Sequence, residues 1–176
     1  MNPTDDQDLE FEDEAEGPPL EDFEVDVSDS QTHVPIDPQA ARRLVETVLR
    51  GEGVAAASIS LAFVDDPTIH RVNREYLDHD EPTDVISFVL SDEGDDRLSG
   101  ELVVSTQTAA RVASEVGAEP WNEVALYLVH GLLHLCGCDD LDEASAAEMR
   151  AREAAALARA GLANPFPLAA GPRPAP

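Results

Sequence analysis

The stretch NEVALYLVHGLLHLC, residues 122–136, is apolar on almost every side of the helix that it would form. A helix that is apolar all round is typical of the interior of a domain rather than its surface. Gly137 follows at the position where a residue in the left-handed conformation commonly ends a helix. The sequence therefore predicts a central buried helix, around which the other elements are expected to pack.

Strands and further helices are predicted on both sides of this helix. Period-2 alternation, or short apolar runs between turn residues, predicts strands at residues 23–27, 58–64, 85–90 and 101–105. Apolar residues at helical spacing predict helices at residues 38–50, 66–77, 106–116 and 142–160. This order of elements predicts an α+β domain, in which a small mixed sheet of about four strands packs with helices.

Two Asp-Pro pairs predict where two of the helices start. Asp37 with Pro38, and Asp66 with Pro67, each place a capping side chain before a ring that fits the first helical turn. Gly51 is expected to end the first of these helices.

Both ends of the chain differ in composition from the middle. Residues 1–22 contain ten acidic residues and no basic one, so they are predicted to form a disordered acidic tail. Residues 163–176 are rich in Pro and Ala and lack the periodicity of a helix or strand, which predicts a second loose tail. The folded domain is therefore predicted to span residues 23–162.

Charge and cysteine content limit the classes of function. The formal net charge of −26 disfavours non-specific attraction to phosphates. No apolar run approaches the length of a membrane helix, and acids stand where a secretory signal has basic residues, so we expect a cytoplasmic protein without a membrane segment. Cys136 and Cys138 are too close in sequence for an easy disulfide, which favours a reducing compartment and leaves them as possible metal ligands.

The end of the central helix contains side chains at metal-ligand spacing. His130 and His134 are four residues apart and therefore lie on one helical face. Gly137 allows the chain to reverse, so that Asp140 can return a carboxylate to the same point. Three protein ligands with a fourth position left for water are typical of a catalytic zinc site. The sequence therefore predicts one zinc ion per chain, bound by His130, His134 and Asp140; it assigns no other catalytic residue.

Gly131, next to the first histidine, separates two functional alternatives. The frame His, His, Gly and a third ligand also occurs in HExxHxxGxxH zinc peptidases, but Gly131 stands where those enzymes carry their general-base Glu. A zinc metalloprotease of HxxxHxxGxxD type is therefore the alternative reading. Gly131 itself is expected to allow a close approach, either by a substrate or backbone or by a packed neighbour.

Three blocks of the sequence resemble one known family. HGLLHLCGCDD, residues 130–140, resembles the HGxLHLxGYDH signature of the YbeY family, and NREYLDHDEPTDVISFVL, residues 73–90, resembles its NREYRGxDxPTDVLSFP block. GELVVSTQTA resembles the strand and helix start that follow in that family. The blocks occur in the family's order, and the resemblance spans about residues 23–162.

The resemblance implies a function in RNA metabolism. Members of the family are zinc-dependent, single-strand-specific endoribonucleases of rRNA maturation, at the 3' end of 16S rRNA, and of ribosome quality control. The implied partners are rRNA and the ribosomal small subunit, with no nucleotide cofactor. A non-catalytic, metal-stabilised ribosome assembly factor is the other alternative that the resemblance permits.

Three positions depart from the family pattern. Asp140 stands where the family has its third histidine, which should make a bound ion a weaker Lewis acid, and Cys138 replaces the family's Tyr. Leu77 stands where the family has an arginine implicated in function. Arg74 lies one helical turn earlier, but nothing in the sequence transfers the arginine's role to it.

The polar residues outside the predicted metal group give less specific signals. Thr83, Asp84 and Ser87 match the family block and are expected either to line the cleft or to serve only as turn and strand residues. The other three histidines have no partner at ligand spacing and are expected to be surface or loop residues: His33, His70 and His79. Cys136 and Cys138 are expected to be bystanders of the metal site rather than ligands.

Overall fold

A computed structural model describes residues 22–166 of the chain. The predicted acidic tail falls almost wholly in residues 1–21, outside the described residues, as does the predicted Pro/Ala-rich tail from residue 167 onward. Residues 163–166 are described, and Phe166 packs against the core.

The described residues form four strands and five helices. The strands are β1 (Asp22–Asp29), β2 (Ala56–Val64), β3 (Val85–Val89) and β4 (Leu98–Ser105). The helices are α1 (Pro38–Gly51), α2 (Asp66–Leu77), α3 (Thr106–Val116), α4 (Pro120–Leu135) and α5 (Glu143–Arg159). Each predicted strand and helix is present, with ends that differ by a few residues.

The four strands form one mixed sheet in the order β1-β2-β4-β3. The β1–β2 and β2–β4 pairs are parallel, whereas β3 runs antiparallel to β4. The antiparallel β3 is an edge strand of the described sheet, and the segment that follows α2 leads into its first residue. The predicted α+β fold with a small mixed sheet is confirmed.

Side-chain caps start four of the five described helices, and one cap differs from the prediction. Asp37 accepts a hydrogen bond from the Gln39 N–H at 2.9 Å and starts α1 as expected. For α2 the predicted cap, Asp66, was wrong, because Asp65 accepts from the Thr68 N–H at 3.0 Å. The Asp66 carboxylate instead accepts hydrogen bonds from the hydroxyls of Ser105 and Thr108, and so ties α2 to the start of α3.

Helix α4 lies at the centre of the core, as its sequence predicts. It packs against α1, α3, α5, β3 and β4. Its fully buried side chains include Val124, Leu128, Leu132 and Leu133. Because the helix is covered along its length, its C-terminal histidines are held on a rigid support.

Gly131 is a point of close approach between α4 and the sheet. A Cβ atom at this position would lie 2.8 Å from Leu102 Cδ2 and 3.0 Å from Ser87 Oγ. The sequence left two reasons for this glycine, a close substrate or backbone and a packed neighbour. The structure shows packed neighbouring side chains. Within residues 22–166, no helix combines the length and the apolarity that crossing a membrane requires.

Candidate metal centre

His130 and His134 meet at the C-terminal end of α4, one helical turn apart. Their ring centroids are 4.5 Å apart, and the rings are nearly perpendicular at 86°. The two Nε2 atoms are 3.0 Å apart. The side chains are 20% and 30% exposed, so the pair borders solvent while its helix remains buried.

The other nitrogen of each ring is held by a hydrogen-bond acceptor. His134 Nδ1 lies 2.9 Å from the Cys138 carbonyl oxygen, and His130 Nδ1 lies 2.7 Å from Glu153 Oε1. A carbonyl oxygen only accepts hydrogen bonds, and so does an ionised carboxylate, so both Nδ1 atoms donate. In a neutral ring with its proton on Nδ1, Nε2 has the lone pair. Two lone pairs 3.0 Å apart repel unless they share a cation, so this arrangement fits a bound metal ion.

Asp140 completes the group from the loop after α4. Gly137 has φ +88°, and the N–H groups of Gly137 and Cys138 donate to the carbonyls of His134 and Leu133, both at 3.0 Å. This turn brings Asp140 Oδ1 to 3.8 Å from His134 Nε2 and Asp140 Oδ2 to 3.9 Å from His130 Nε2. One ligand atom from each of the three side chains lies within 4.8 Å of the others, so the group could hold a metal ion.

The donor types of this group suit zinc. Two imidazole nitrogens and one carboxylate oxygen match a catalytic zinc site of three protein ligands. The carboxylate is 41% exposed, which leaves the side of the group opposite α4 open to solvent. The structure thus brings together all three of the side chains that the sequence singled out.

Glu153 was not predicted by the sequence analysis. It belongs to α5, is 9% exposed, and contacts a histidine 23 positions earlier in the chain. Its neighbours on the buried face of α5 are apolar: Met149, Ala156 and Leu157. An acid within the apolar stripe of an amphipathic helix was the signal that could have identified it.

The three side chains lie at one wall of a cleft of about 670 Å³. The opposite wall comes from the end of α2, residues 79–84 and strand β3. Thr83, Asp84 and Ser87 line this cleft. This agrees with the first of the two expectations for them, that they line the cleft and do not serve only as turn and strand residues. Asp84 Oδ1 accepts a hydrogen bond from Thr83 Oγ1 at 3.1 Å, and Ser87 Oγ donates to the Gly131 carbonyl at 3.3 Å.

His79 and Leu77 also line the cleft. His79 was expected to be a surface or loop residue; it is exposed in the loop after α2, and its place at the cleft was not foreseen. Arg74 is absent from the described lining and lies 3.9 Å from Asp80, whose carboxylate also accepts a hydrogen bond from His70 Nε2 at 2.9 Å.

Carboxylates outnumber cations in the lining of the cleft. Its acidic residues are Glu81, Asp84 and Asp140, and its described lining contains neither Arg nor Lys. A phosphate group that enters the cleft therefore meets no permanent positive charge from the described side chains.

The two cysteines lie outside the candidate metal group of the described residues. Burial raises the pKa of the Cys136 thiol to about 12, and burial also raises the pKa of the Cys138 thiol. Because the thiolate is the form that binds metal, both shifts disfavour a ligand role. Cys138 contributes to the centre through its backbone carbonyl, which positions His134.

Comparison with known proteins identifies the family. The family model described as Endoribonuclease YbeY matches residues 26–161. A protein named Endoribonuclease YbeY from Moorella thermoacetica is 39% identical over 154 residues, covering 80% of this chain and 99% of the relative. The namesake from Carboxydothermus hydrogenoformans is 39% identical over 140 residues, covering 78% of this chain and 97% of the relative.

A solved structure supports the fold independently. The solution structure of TM1509 from Thermotoga maritima matches with a TM-score of 0.56 and 20% identity, covering 78% of this chain and 88% of that one. This likeness concerns the fold alone. The family model matches most of the chain, and the two relatives are each 39% identical to it. Together with the sequence blocks around the paired histidines, these matches establish that this chain belongs to the YbeY endoribonuclease family.

Proposed function

We propose that this protein is a zinc-dependent endoribonuclease that hydrolyses single-stranded RNA in the cleft beside α4. The domain responsible is assigned to residues 23–162, close to the span of the family match. The name shared by its relatives supports RNA cleavage as the reaction. The metal ligands are assigned to His130, His134 and Asp140.

One observation carries the metal assignment. The Nε2 atoms of His130 and His134 face each other at 3.0 Å while both Nδ1 atoms are engaged, and the Asp140 carboxylate lies beside them. A zinc ion bound there would supply Lewis acidity, which polarises a phosphodiester and lowers the pKa of water. The chain's own contribution is to hold the two rings in a fixed orientation and to leave one side of the group open to the cleft.

The substrate is proposed to be ribosomal RNA, in the cytoplasm, with the ribosomal small subunit as partner. In particular, we assign the protein to maturation of the 16S rRNA 3' end and to ribosome quality control, following the family resemblance. The acidic lining of the cleft favours a substrate that is delivered by a bound partner over one captured from solution by charge.

The peptidase alternative lacks a general base at the position where zinc peptidases have one. That position is Gly131, and a Cβ there would already lie 2.8 Å from Leu102 Cδ2. A glutamate therefore has no room beside the first histidine. The family match to endoribonucleases also favours RNA over peptide as the substrate.

The test combines metal analysis with an RNA processing assay. We expect purified wild-type protein to contain one zinc ion per chain and to cleave a single-stranded RNA that includes the 16S 3' end. The double variant His130→Ala/His134→Ala should lose both properties. His70→Ala, a histidine outside the metal group, is the matched control and should keep both.

The outcomes separate the three readings. Full zinc occupancy in the double histidine variant would contradict the assigned ligands. Cosedimentation of wild type with ribosomal small subunits, without RNA cleavage and unaffected by the double substitution, would support the non-catalytic assembly factor. Cleavage of casein but not RNA would support the peptidase.

A further inference from the structure

The buried face of α5 contains one carboxylate, and that carboxylate contacts the metal centre. The Glu153 side chain is 12% exposed and its Oε1 atom lies 2.7 Å from His130 Nδ1. Burying an ionised carboxylate is unfavourable unless it is hydrogen-bonded, whereas an apolar side chain of similar size would suit the neighbouring Met149 and Leu157. The position of Glu153 is therefore explained by the histidine ring and not by packing.

The hydrogen bond determines which ring nitrogen of His130 carries the proton. With a carboxylate acceptor at Nδ1, the proton stays on Nδ1 and the lone pair is on Nε2. Nε2 is the atom that faces His134 and Asp140. In the other tautomer, an Nε2–H would point at the place where a cation binds, and the ring would have no lone pair to offer there.

The two histidines obtain this orientation from different parts of the fold. His134 is held by the carbonyl of Cys138, four residues away in the turn that follows its own helix. His130 is held by a side chain from α5. The same helix begins just after the loop that contains Asp140, and Asp142 caps it. Helix α5 therefore contacts one proposed ligand and follows directly after the loop that contains another.

We infer that Glu153 is a positioning residue of the metal centre: it fixes the tautomer and rotation of His130, and so couples the docking of α5 to ion binding. This inference deepens the proposed function and rests on it for the ligand role of His130 and for the identity of the ion. Residues that orient metal-ligating histidines through the second ring nitrogen contribute about 10- to 100-fold to metal affinity.

The experiment compares two changes at Glu153 with one change on the same helix. Glu153→Leu removes the acceptor and keeps an apolar side chain among apolar neighbours, while Glu153→Gln keeps the shape and removes the charge. Glu148→Gln is the matched control, since Glu148 is 65% exposed and pairs with Arg152 on the surface. Zinc affinity is measured by competition with a chromophoric chelator, and ring tautomers by ¹⁵N NMR of the metal-free protein.

We expect zinc affinity to fall about 10- to 100-fold in Glu153→Leu, less in Glu153→Gln, and not at all in Glu148→Gln. In the metal-free protein, His130 should change from the Nδ1–H tautomer to a mixture in Glu153→Leu, while His134 keeps its Nδ1–H tautomer. A purely structural role for Glu153 would lower stability without this selective change at one ring.

Unchanged zinc affinity together with an unchanged His130 tautomer in a folded Glu153→Leu variant would overturn the inference. If Glu153→Leu does not fold, Glu153→Gln decides by the same two measurements. A wild-type protein that binds zinc but cleaves no RNA would refute the proposed reaction and leave this inference standing. The NMR measurement needs no metal, so it tests the role of Glu153 even if zinc is not the ion.

Discussion

Asp140 is the residue at which the proposed ligand set departs from the family's histidine. Its carboxylate oxygens lie 3.8 and 3.9 Å from the Nε2 atoms of His134 and His130, so it is the proposed third donor. We expect Asp140→Ala to bind zinc more weakly than wild type and Asp140→His to retain binding, because imidazole and carboxylate are both zinc donors.

Isothermal titration of the metal-free proteins with zinc measures this difference. Asp139→Ala is the control, because the neighbouring acid is not among the three grouped side chains. Equal zinc affinity in wild type and Asp140→Ala would show that Asp140 is not a ligand.

Leu77 lines a cleft whose described lining has no Arg or Lys. We expect Leu77→Arg to lower the KM for single-stranded RNA several-fold, because a guanidinium there would contact a phosphate. RNA affinity should also fall more steeply with salt. The slope of log affinity against log salt concentration should become more negative by about 0.7 for one added phosphate contact on a single strand.

RNA binding at several salt concentrations tests this expectation. Leu90→Arg adds the same charge at a residue that is 65% exposed and outside the cleft lining, so it controls for net charge. Equal effects of the two substitutions would mean that the cleft does not hold the RNA.

Elements are held together by contacts that single helices and strands do not predict. One of these is between α4 and β4, where Gly131 faces Leu102. Gly131→Ala gains about 1 kcal/mol of helix propensity but forces a Cβ to within 2.8 Å of a fully buried leucine. Overpacking of this kind costs about 1–3 kcal/mol, so we expect a net loss in the free energy of unfolding.

Urea unfolding of Gly131→Ala, Leu102→Val and the double variant measures the contact. If steric conflict is the cause, the double variant should be more stable than the sum of the two single effects predicts. Additive effects would argue against a direct conflict between these two side chains.

Helix α5 begins with a capping box whose strength depends on pH. The Asp142 carboxylate accepts from the Ser145 N–H at 2.8 Å, and the Asp142 N–H donates to Ser145 Oγ at 3.0 Å. The hydrogen bonds that the carboxylate accepts from the Ser145 N–H and from the Ser145 hydroxyl hold the pKa of Asp142 below its ordinary value of 3.8. A lowered pKa in the folded state adds stability above the unfolded pKa, and this stability is lost as pH falls through the folded pKa.

We therefore expect Asp142→Ala to be less stable than wild type at pH 7, and the difference to shrink as pH falls below about 3.8. Chemical unfolding from pH 7 to pH 3 measures it, with Asp96→Ala in an exposed loop as the control. A difference that stays constant over this range would rule out the ionised carboxylate as its source.

The whole molecule should respond to metal as one unit, because the proposed ligands come from α4 and the loop that leads into α5. An ion that binds only the folded state stabilises it by about 2.7 kcal/mol at a free concentration of 100 times Kd. For a domain of this size that corresponds to a rise in Tm of roughly 5–10 °C.

Thermal unfolding of metal-free protein with and without added zinc tests this expectation. His130→Ala/His134→Ala should show no rise. A rise of equal size in that variant would place the stabilising ion elsewhere on this acidic chain, whose formal net charge is −26.

Most elements and the three proposed ligands were predictable, because their signals are local. The apolar stretch of α4 predicts burial, the spacing of His130 and His134 predicts a shared face, and Gly137 predicts the turn that returns Asp140. The error at the start of α2 has a tertiary cause: two adjacent aspartates precede Pro67, and the choice between them depended on which one α3 engages.

The sequence alone determined the secondary structure, the buried central helix and the placing of two imidazoles and a carboxylate near one point, since each depends on periodicity or on residues within one turn. Only the tertiary structure decided that Glu153 fixes His130, that His79 and Leu77 face the cleft, and that Asp66 binds α3. These contacts join residues far apart along the chain, and their geometry exists only after the helices have packed on the sheet.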